Sequence, residues 1–593
     1  MTMDVNDVKW DLSKLYKGPE AAELAEDIEY VKKHSQRISR KFEGRINELS
    51  TEEFAELFTD VEKIYEITGK MMMYAYLFLS GDTSNPEANK LFSKIQDVAS
   101  EVENNLVSLK LELARMPNEL FEKQFKMPQL KDYAHFVQKQ REARKYFLSE
   151  AEEKLINIKN LTGREAFVKL YTEFTSSFRY EIEIDGEKKL FTRSEVDTLK
   201  RHPDPEIRKK AFEVLLTKLK ENEIVLTNIY NSIVKDWVVE SKKRKYPSPI
   251  SPRNVGNEIS DEVVKSLIEV TTENNKLVHA YYRLKAKIMK KDKLKHSDIY
   301  APLETTEKNY TWKEAKDLVL KVMGEFDPKV EEIIREFFEG EYIHAPVLPN
   351  KRSGAFCYYV GPNVHPYVMV NFTGKQDDVL TLAHELGHGL HGVLSQTQNL
   401  LNYHTPLTMA EVASVFSEML MIDYILNNMT NKDEKIAFIA SQLEGMFATM
   451  NRQNMFTRFE LKAHEKIEKQ YQTFDELSSI YFEELKNMFG DSIDYFDFSG
   501  YEWAGIPHMF HTPFYCYAYD FAQLMVVALY EKYLEEGEPF KKKYLELLSS
   551  GGSDKPERLL EKVGVDLSDP AFWQKGFDFI NRRFLKELQD LVS

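Results

Sequence analysis

Apolar residues three and four apart fill most of the first 150 positions, as in VENNLVSLKLELARM (residues 102–116), with charged residues between them. That spacing gathers the apolar side chains on one stripe of an α-helix. Short polar breaks such as GDTSNPEAN (residues 81–89) separate the runs. The region is predicted as a stack of amphipathic helices without a fixed-period repeat. The period changes to two in FRYEIEIDGEKKLFT (residues 178–192), where alternation on either side of Asp185-Gly186 predicts a β-hairpin. Helical spacing resumes at PEIRKKAFEVLLTKL. The proline-rich, basic stretch SKKRKYPSPISPRNVG (residues 241–256) reads as a loop before a helix capped near Ser260 or Asp261.

Between residues 340 and 375 the pattern shortens again. PVLPNKRSGAFCYYVGPNVHPYVMVNF alternates tyrosine, valine and phenylalanine with glycine and proline, which predicts two or three strands, with GAFCYYV and PYVMVNF paired antiparallel. A helix follows from the acidic pair Asp377-Asp378, and helix continues almost to the end after residue 405. The expected fold is mainly α: a large two-lobed helical molecule with a small antiparallel sheet beside one helix. Residues 1–195 are expected to form an N-terminal helical lobe carrying the hairpin. Residues 196–593 are expected to form a helical body with the sheet near 340–375 and the site at 384–418.

Composition narrows the function. The formal charge of -16 over 593 residues makes phosphate-backbone binding improbable, so no nucleic-acid partner is expected, and the KKRK run reads as a solvated face beside a loop. Two cysteines, Cys357 and Cys516, make neither a disulfide framework nor a thiolate cluster and fit a reducing compartment. The N-terminus lacks a signal-peptide pattern, and no apolar run approaches the roughly 18 residues of a membrane span. A cytoplasmic protein without a membrane partner is expected, monomer or dimer.

The chemistry is carried by TLAHELGHGLH (residues 381–391). One helical turn separates His384 from His388, so two neutral imidazoles can reach one metal ion, and Glu385 can hold a water beside it. The alternative is a core helix with two hydrogen-bonded histidines. Gly387 and Gly389 weaken the helix by about 1 kcal/mol each relative to alanine, which close packing against another element would explain. A third ligand is needed. One zinc-peptidase class takes a histidine six residues after the second, but position 394 is Leu, and His391 stands at another spacing and starts another face. A better source is TPLTMAEVASVFSEMLMIDYIL (residues 405–426), where Glu411 and Glu418 lie two turns apart among small and apolar neighbours. Glu411 could instead close a capping box with Thr408. Glu418 suits a supporting role, accepting the Nδ1 proton of a ligating histidine. Farther on, WAGIPHMFHTPFYCYAYDFAQ (residues 503–523) concentrates His508, His511, Tyr515, Tyr517 and Tyr519. Such a cluster serves either as core or as a set of donors to an oxyanion.

WDLSKLY, KRSGAFCYY, MVNFTG, TLAHELGHGLH, MAEVASVFSE and IPHMFHTPFYCYAYDFA, in that order along almost the whole chain, resemble the M3 family of zinc metallopeptidases, in its oligoendopeptidase F branch. The resemblance implies a zincin-like helical fold with a deep substrate channel, one zinc ion per chain, and endopeptidase action on short unfolded peptides. It implies His384, His388 and Glu411 as zinc ligands, Glu385 as general base and Glu418 as support for a ligand. It also implies that His508 and tyrosines among Tyr515, Tyr517 and Tyr519 stabilise the tetrahedral intermediate. A substrate strand is expected along Gly354, Ala355, Phe356 and Tyr358, with Phe356 and Tyr358 lining pockets. A carboxypeptidase and a non-enzymatic helical scaffold are the competing readings.

Overall fold

The computed structural model describes residues 4–184, 186–303 and 308–593. Helices dominate it, and three small sheets complete it among the described residues. By Cα proximity the chain divides into two compact units, each discontinuous in sequence. The first comprises residues 1–145, 307–427 and 532–565, and the second residues 146–306, 428–531 and 566–593. Neither unit ends at residue 195, where the sequence pattern suggested a boundary: each is assembled from helices far apart in the chain.

In the first unit, the helix Ala22–Phe42 buries Leu24, Ile28, Val31, Ile38 and Phe42, the stripe its spacing predicts. Ser50 and Glu53 close a capping box on the helix Thr51–Gly81, and Asn85 caps the helix Pro86–Arg115, whose first residue is proline. The break at GDTSNPEAN is therefore a stop followed by a start. These three helices share an apolar core that also takes in Val364 and Tyr367, and so fastens to the region of the small sheet.

That sheet has Tyr367–Met369 at its centre. Phe356–Tyr358 pairs with it antiparallel, Cys357 opposite Val368, as expected. The third strand, Ile343–His344, pairs parallel, so the sheet is mixed rather than antiparallel. A two-residue strand leaves no periodicity to read. Lys351 closes one end, its Nζ donating to the carbonyls of His344, Pro346 and Val370 at 3.2, 2.7 and 2.6 Å.

The second unit holds the hairpin Tyr180–Ile184 with Glu187–Phe191. Gly186 takes φ +79° in its turn, and Asp185 lies outside the described residues. Ser260 caps the helix Asp261–Glu273 as expected, although a short helix, Ser251–Gly256, occupies part of the anticipated loop. The basic run is paired with acids: Lys242 with Glu468, Lys243 with Glu152, Arg244 with Glu153 and Glu240. Among the described residues, no helix is long and apolar enough to cross a membrane.

Candidate active site

The helix Gln376–Leu394 carries the HELGH motif. Its start is fixed by Asp378, whose Oδ2 accepts from the Thr373 N–H at 2.7 Å, the Thr373 hydroxyl at 2.6 Å and the Lys375 N–H at 3.1 Å. A carboxylate there also complements the positive helix end. The two glycines of the motif are where other elements come closest. A Cβ on Gly387 would lie 2.6 Å from both the Ala413 carbonyl oxygen and Ser414 Cα. One on Gly389 would lie 2.5 Å from the Phe337 ring. The second helix thus approaches the first backbone to backbone, as the glycines suggested.

That approach brings a carboxylate to the two histidines. Glu411 stands immediately before the helix Val412–Asn428, its carbonyl accepting the Val415 N–H at 3.1 Å. Its carboxylate is turned toward the two imidazoles. Glu411 Oε2 lies 3.3 Å from His384 Nε2 and 3.3 Å from His388 Nε2, and the Ser414 hydroxyl donates to it at 2.6 Å. His384, His388 and Glu411 offer three ligand atoms within 4.8 Å of one another, the one such group among the described residues. Two imidazole nitrogens and one carboxylate oxygen form a donor set suited to zinc. On its other nitrogen, His384 Nδ1 meets Glu418 Oε2 at 3.2 Å.

The electrostatics follow from this convergence. Burial opposes charge on His384, but its hydrogen bonds to Glu411 and Glu418 raise the imidazole to about 10. Burial likewise works against Glu411, and the two histidines hold it far below the usual carboxylate range. Glu385 is 7% exposed, and burial pushes its carboxyl upward against the pull of His388 and His384. The Cys357 N–H donates to it. Cys357 is the middle residue of Phe356–Tyr358, an outer strand of the sheet, so the strand edge meets the motif helix at Glu385.

The remaining expected residues separate into groups. Gly354 is exposed at φ +80°, and Ala355 is half-buried beside it. The rings of Phe356 and Tyr358 pack on Tyr76, with centroids 5.2 and 5.0 Å away. They share one face of the strand, while Cys357 occupies the other. In the second unit, His508, Tyr515 and Tyr519 form one cluster: His508 stacks on Tyr515 at 5.8 Å, and its Nε2 lies 3.4 Å from the Tyr519 hydroxyl. Tyr517 does not join them. It is fully buried, and its hydroxyl accepts from Asn257 Nδ2 at 2.8 Å. Within the helix Tyr517–Glu536, Tyr519 lies two residues on from Tyr517, roughly half a turn around the axis.

His391 shares the face of His384, contrary to the expectation from its spacing. It lies seven residues after His384, two full turns, and its 3% exposed ring feels His388 and Glu411. Burial pushes that imidazole down to about 3. It stands outside the ligand group but beside it, as does Tyr359, which is close enough to Glu411 to be perturbed by it. The heptad spacing of His391 was the available signal. Tyr359 had none.

Comparison with known proteins agrees with this geometry. Residues 198–579 match the model of peptidase family M3, and residues 112–180 match that of oligopeptidase F. An oligoendopeptidase F homolog of Borreliella burgdorferi is 30% identical over 99% of this chain and 98% of its own. Oligopeptidase PepF of Bacillus subtilis is 26% identical over 98% of this chain and 87% of its own. In structure, the chain is similar to a candidate peptidase of Chlamydophila abortus, with a TM-score of 0.88, 25% identity and complete coverage of both chains. It is also similar in fold to oligoendopeptidase-F of Enterococcus faecium, with a TM-score of 0.71 at 22% identity over 96% of this chain and 97% of the other. The scaffold reading is thereby set aside, and the motif helix with its facing carboxylate takes its meaning from the match: this chain belongs to peptidase family M3, in the oligoendopeptidase F branch, and is a metallopeptidase that hydrolyses peptides.

Proposed function

We propose that the protein is a zinc-dependent endopeptidase that cuts internal bonds of short, unfolded peptides, with one zinc ion held by His384, His388 and Glu411. The supporting observation is the convergence of Glu411 Oε2 on both imidazole Nε2 atoms at 3.3 Å. When bound, zinc supplies Lewis-acid polarisation of a carbonyl and a nucleophilic water at neutral pH. Glu385 would act as the general base, taking a proton from the attacking water and returning it to the leaving nitrogen. Burial suits it to the task, because a carboxyl raised above the usual range is the stronger base. Glu418 holds His384 through Nδ1 and fixes which nitrogen faces the ion. His508, Tyr515 and Tyr519 donate to the oxyanion of the tetrahedral intermediate, a role that rests on the family resemblance.

The substrate backbone adds to the edge at residues 354–358. Support comes from the position of Phe356–Tyr358 on the outside of its sheet and from the link between Cys357 and Glu385. Main-chain pairing needs an extended partner and no particular side chain, which favours flexible peptides of varied sequence. A folded domain offers no such strand without unfolding, at about 5–15 kcal/mol.

The test uses a C-terminally amidated peptide and mass analysis of the products. Chelation should abolish cleavage, and one equivalent of zinc should restore internal cuts. Cleavage indifferent to chelation contradicts the metal assignment. Complete resistance of the blocked peptide, with trimming of its free-acid form, favours a carboxypeptidase.

A further inference from the structure

The turn that joins His508 to Tyr515 and Tyr519 sits on a buried polar group that nothing above employs. Glu460 lies on the helix Asn451–Lys469 and is fully buried. Its Oε1 accepts the Phe514 N–H at 2.8 Å. Phe514 has φ +57°, a left-handed conformation that costs a side-chain-bearing residue energy and persists only where its surroundings enforce it. The enforcement is visible on several sides. Phe514 is itself buried, with its ring 4.5 Å from that of His464, one helical turn beyond Glu460. Arg253 reaches the Pro513 carbonyl through Nε and Nη2, both at 3.4 Å. Before the turn, Phe510 stacks on Tyr171 at 3.8 Å, and His511 Nε2 lies 2.9 Å from the Thr172 hydroxyl.

Glu460 makes an improbable core residue. Its Oε2, both nitrogens of His464 and the hydroxyl of Tyr230 are buried with no partner among the described residues. Burial pushes the Glu460 carboxyl up to about 8. An apolar side chain of similar volume would relieve that cost unless the accepted N–H has a use. Each end of the turn carries cluster residues: the Thr512 N–H bonds back to the His508 carbonyl at 2.9 Å, and the Tyr515 N–H to that of Thr512 at 3.2 Å.

We infer that Glu460 is a positioning residue for peptide hydrolysis: by accepting the Phe514 N–H it holds the turn in its left-handed form and sets His508, Tyr515 and Tyr519 as one constellation. The inference rests on the proposed role of that cluster. Glu460→Gln keeps an acceptor at Oε1, whereas Glu460→Met removes it at similar volume. The expected result for Glu460→Met is a kcat about 10- to 100-fold lower, with KM and zinc content near wild type, since a displacement of about 1 Å costs that much. Glu460→Gln should stay within about threefold of wild type, and Glu460→Met combined with His508→Ala should lose less than the product of the single losses. Alkylation of the buried Cys516, mapped by mass spectrometry in the folded enzyme, should rise in Glu460→Met alone.

Wild-type kcat in Glu460→Met, or fully multiplicative losses in the double variant, overturns the inference. Unchanged rates in His508→Ala, Tyr515→Phe and Tyr519→Phe would instead remove the role of the cluster, and the Cys516 labelling would still separate that result from a turn that never depended on Glu460. Should Glu460→Met fail to fold, Glu460→Asp carries the same test, since it keeps the carboxyl but withdraws the acceptor by one bond. Its kcat should then fall while KM holds, and wild-type kcat in it overturns the inference.

Discussion

The two ring nitrogens of His384 have separate partners, Glu411 at Nε2 and Glu418 at Nδ1, at 3.3 and 3.2 Å. A ligand histidine whose second nitrogen is hydrogen-bonded to a carboxylate is fixed in tautomer and made a better donor. Glu418 is therefore expected to act on affinity for the metal rather than on the reaction. Replacing it with Ala should weaken zinc binding about 10- to 100-fold, with turnover of the fully loaded enzyme much less affected. Competition against a chromogenic chelator measures this directly, and an unchanged dissociation constant would show that Glu418 does no more than neutralise charge. The sequence revealed Glu418 because seven-residue spacing puts it on the face of Glu411. It could not reveal Tyr359 or the Cys357 N–H, which reach the site from a strand whose register is a tertiary fact.

At the level of elements, the site depends on how closely two helices approach. Gly387 is the point of contact, and a methyl group there would strike the backbone of Ala413 and Ser414, which cannot rotate away. Gly387→Ala should cost about 1–3 kcal/mol and should also lower zinc affinity, since the displaced helix carries Glu411. Gly445 supplies the comparison. It lies in the helix Lys432–Thr449 with nothing within 4 Å of a Cβ, and Gly445→Ala should stabilise by about 0.5–1 kcal/mol. Urea unfolding of both variants tests the pair, and a shift of the same sign in both would contradict the packing argument. Helices with clear stripes, caps and prolines were legible because those signals are local. The parallel strand Ile343–His344, the inward turn of Tyr517 and the discontinuous compact units were not, because each is decided by partners distant in the chain.

For the molecule as a whole, buried ionisable groups make stability depend on pH in opposing ways. Burial pushes His464 down to about 3, whereas in the unfolded chain it titrates near 6.5. Its contribution is complete above 6.5 and is lost as pH falls toward 3, by about 2 kcal/mol at pH 5. Glu460 has the reverse sign. Raised from 4.5 to about 8, it contributes fully below 4.5 and loses that contribution as pH rises toward 8. Relative to wild type, His464→Leu should therefore gain stability on acidification from pH 7 to 5, and Glu460→Gln should gain it on going from pH 5 to 8. Denaturation curves at three pH values suffice, and parallel pH dependence in the variants and wild type would mean that neither group is held in its buried form. The sequence shows both residues but gives no sign of their burial, since Glu and His on a helix are ordinarily solvated.

The central claim is that Glu385 acts as the base beside a zinc ion held by its neighbours. The most direct measurement is made on Glu385→Gln, with zinc stoichiometry and turnover of a blocked oligopeptide determined on the same preparation. The variant should hold one zinc per chain, as in wild type, and lose nearly all turnover. Near-normal cleavage by the zinc-loaded variant would contradict the claim.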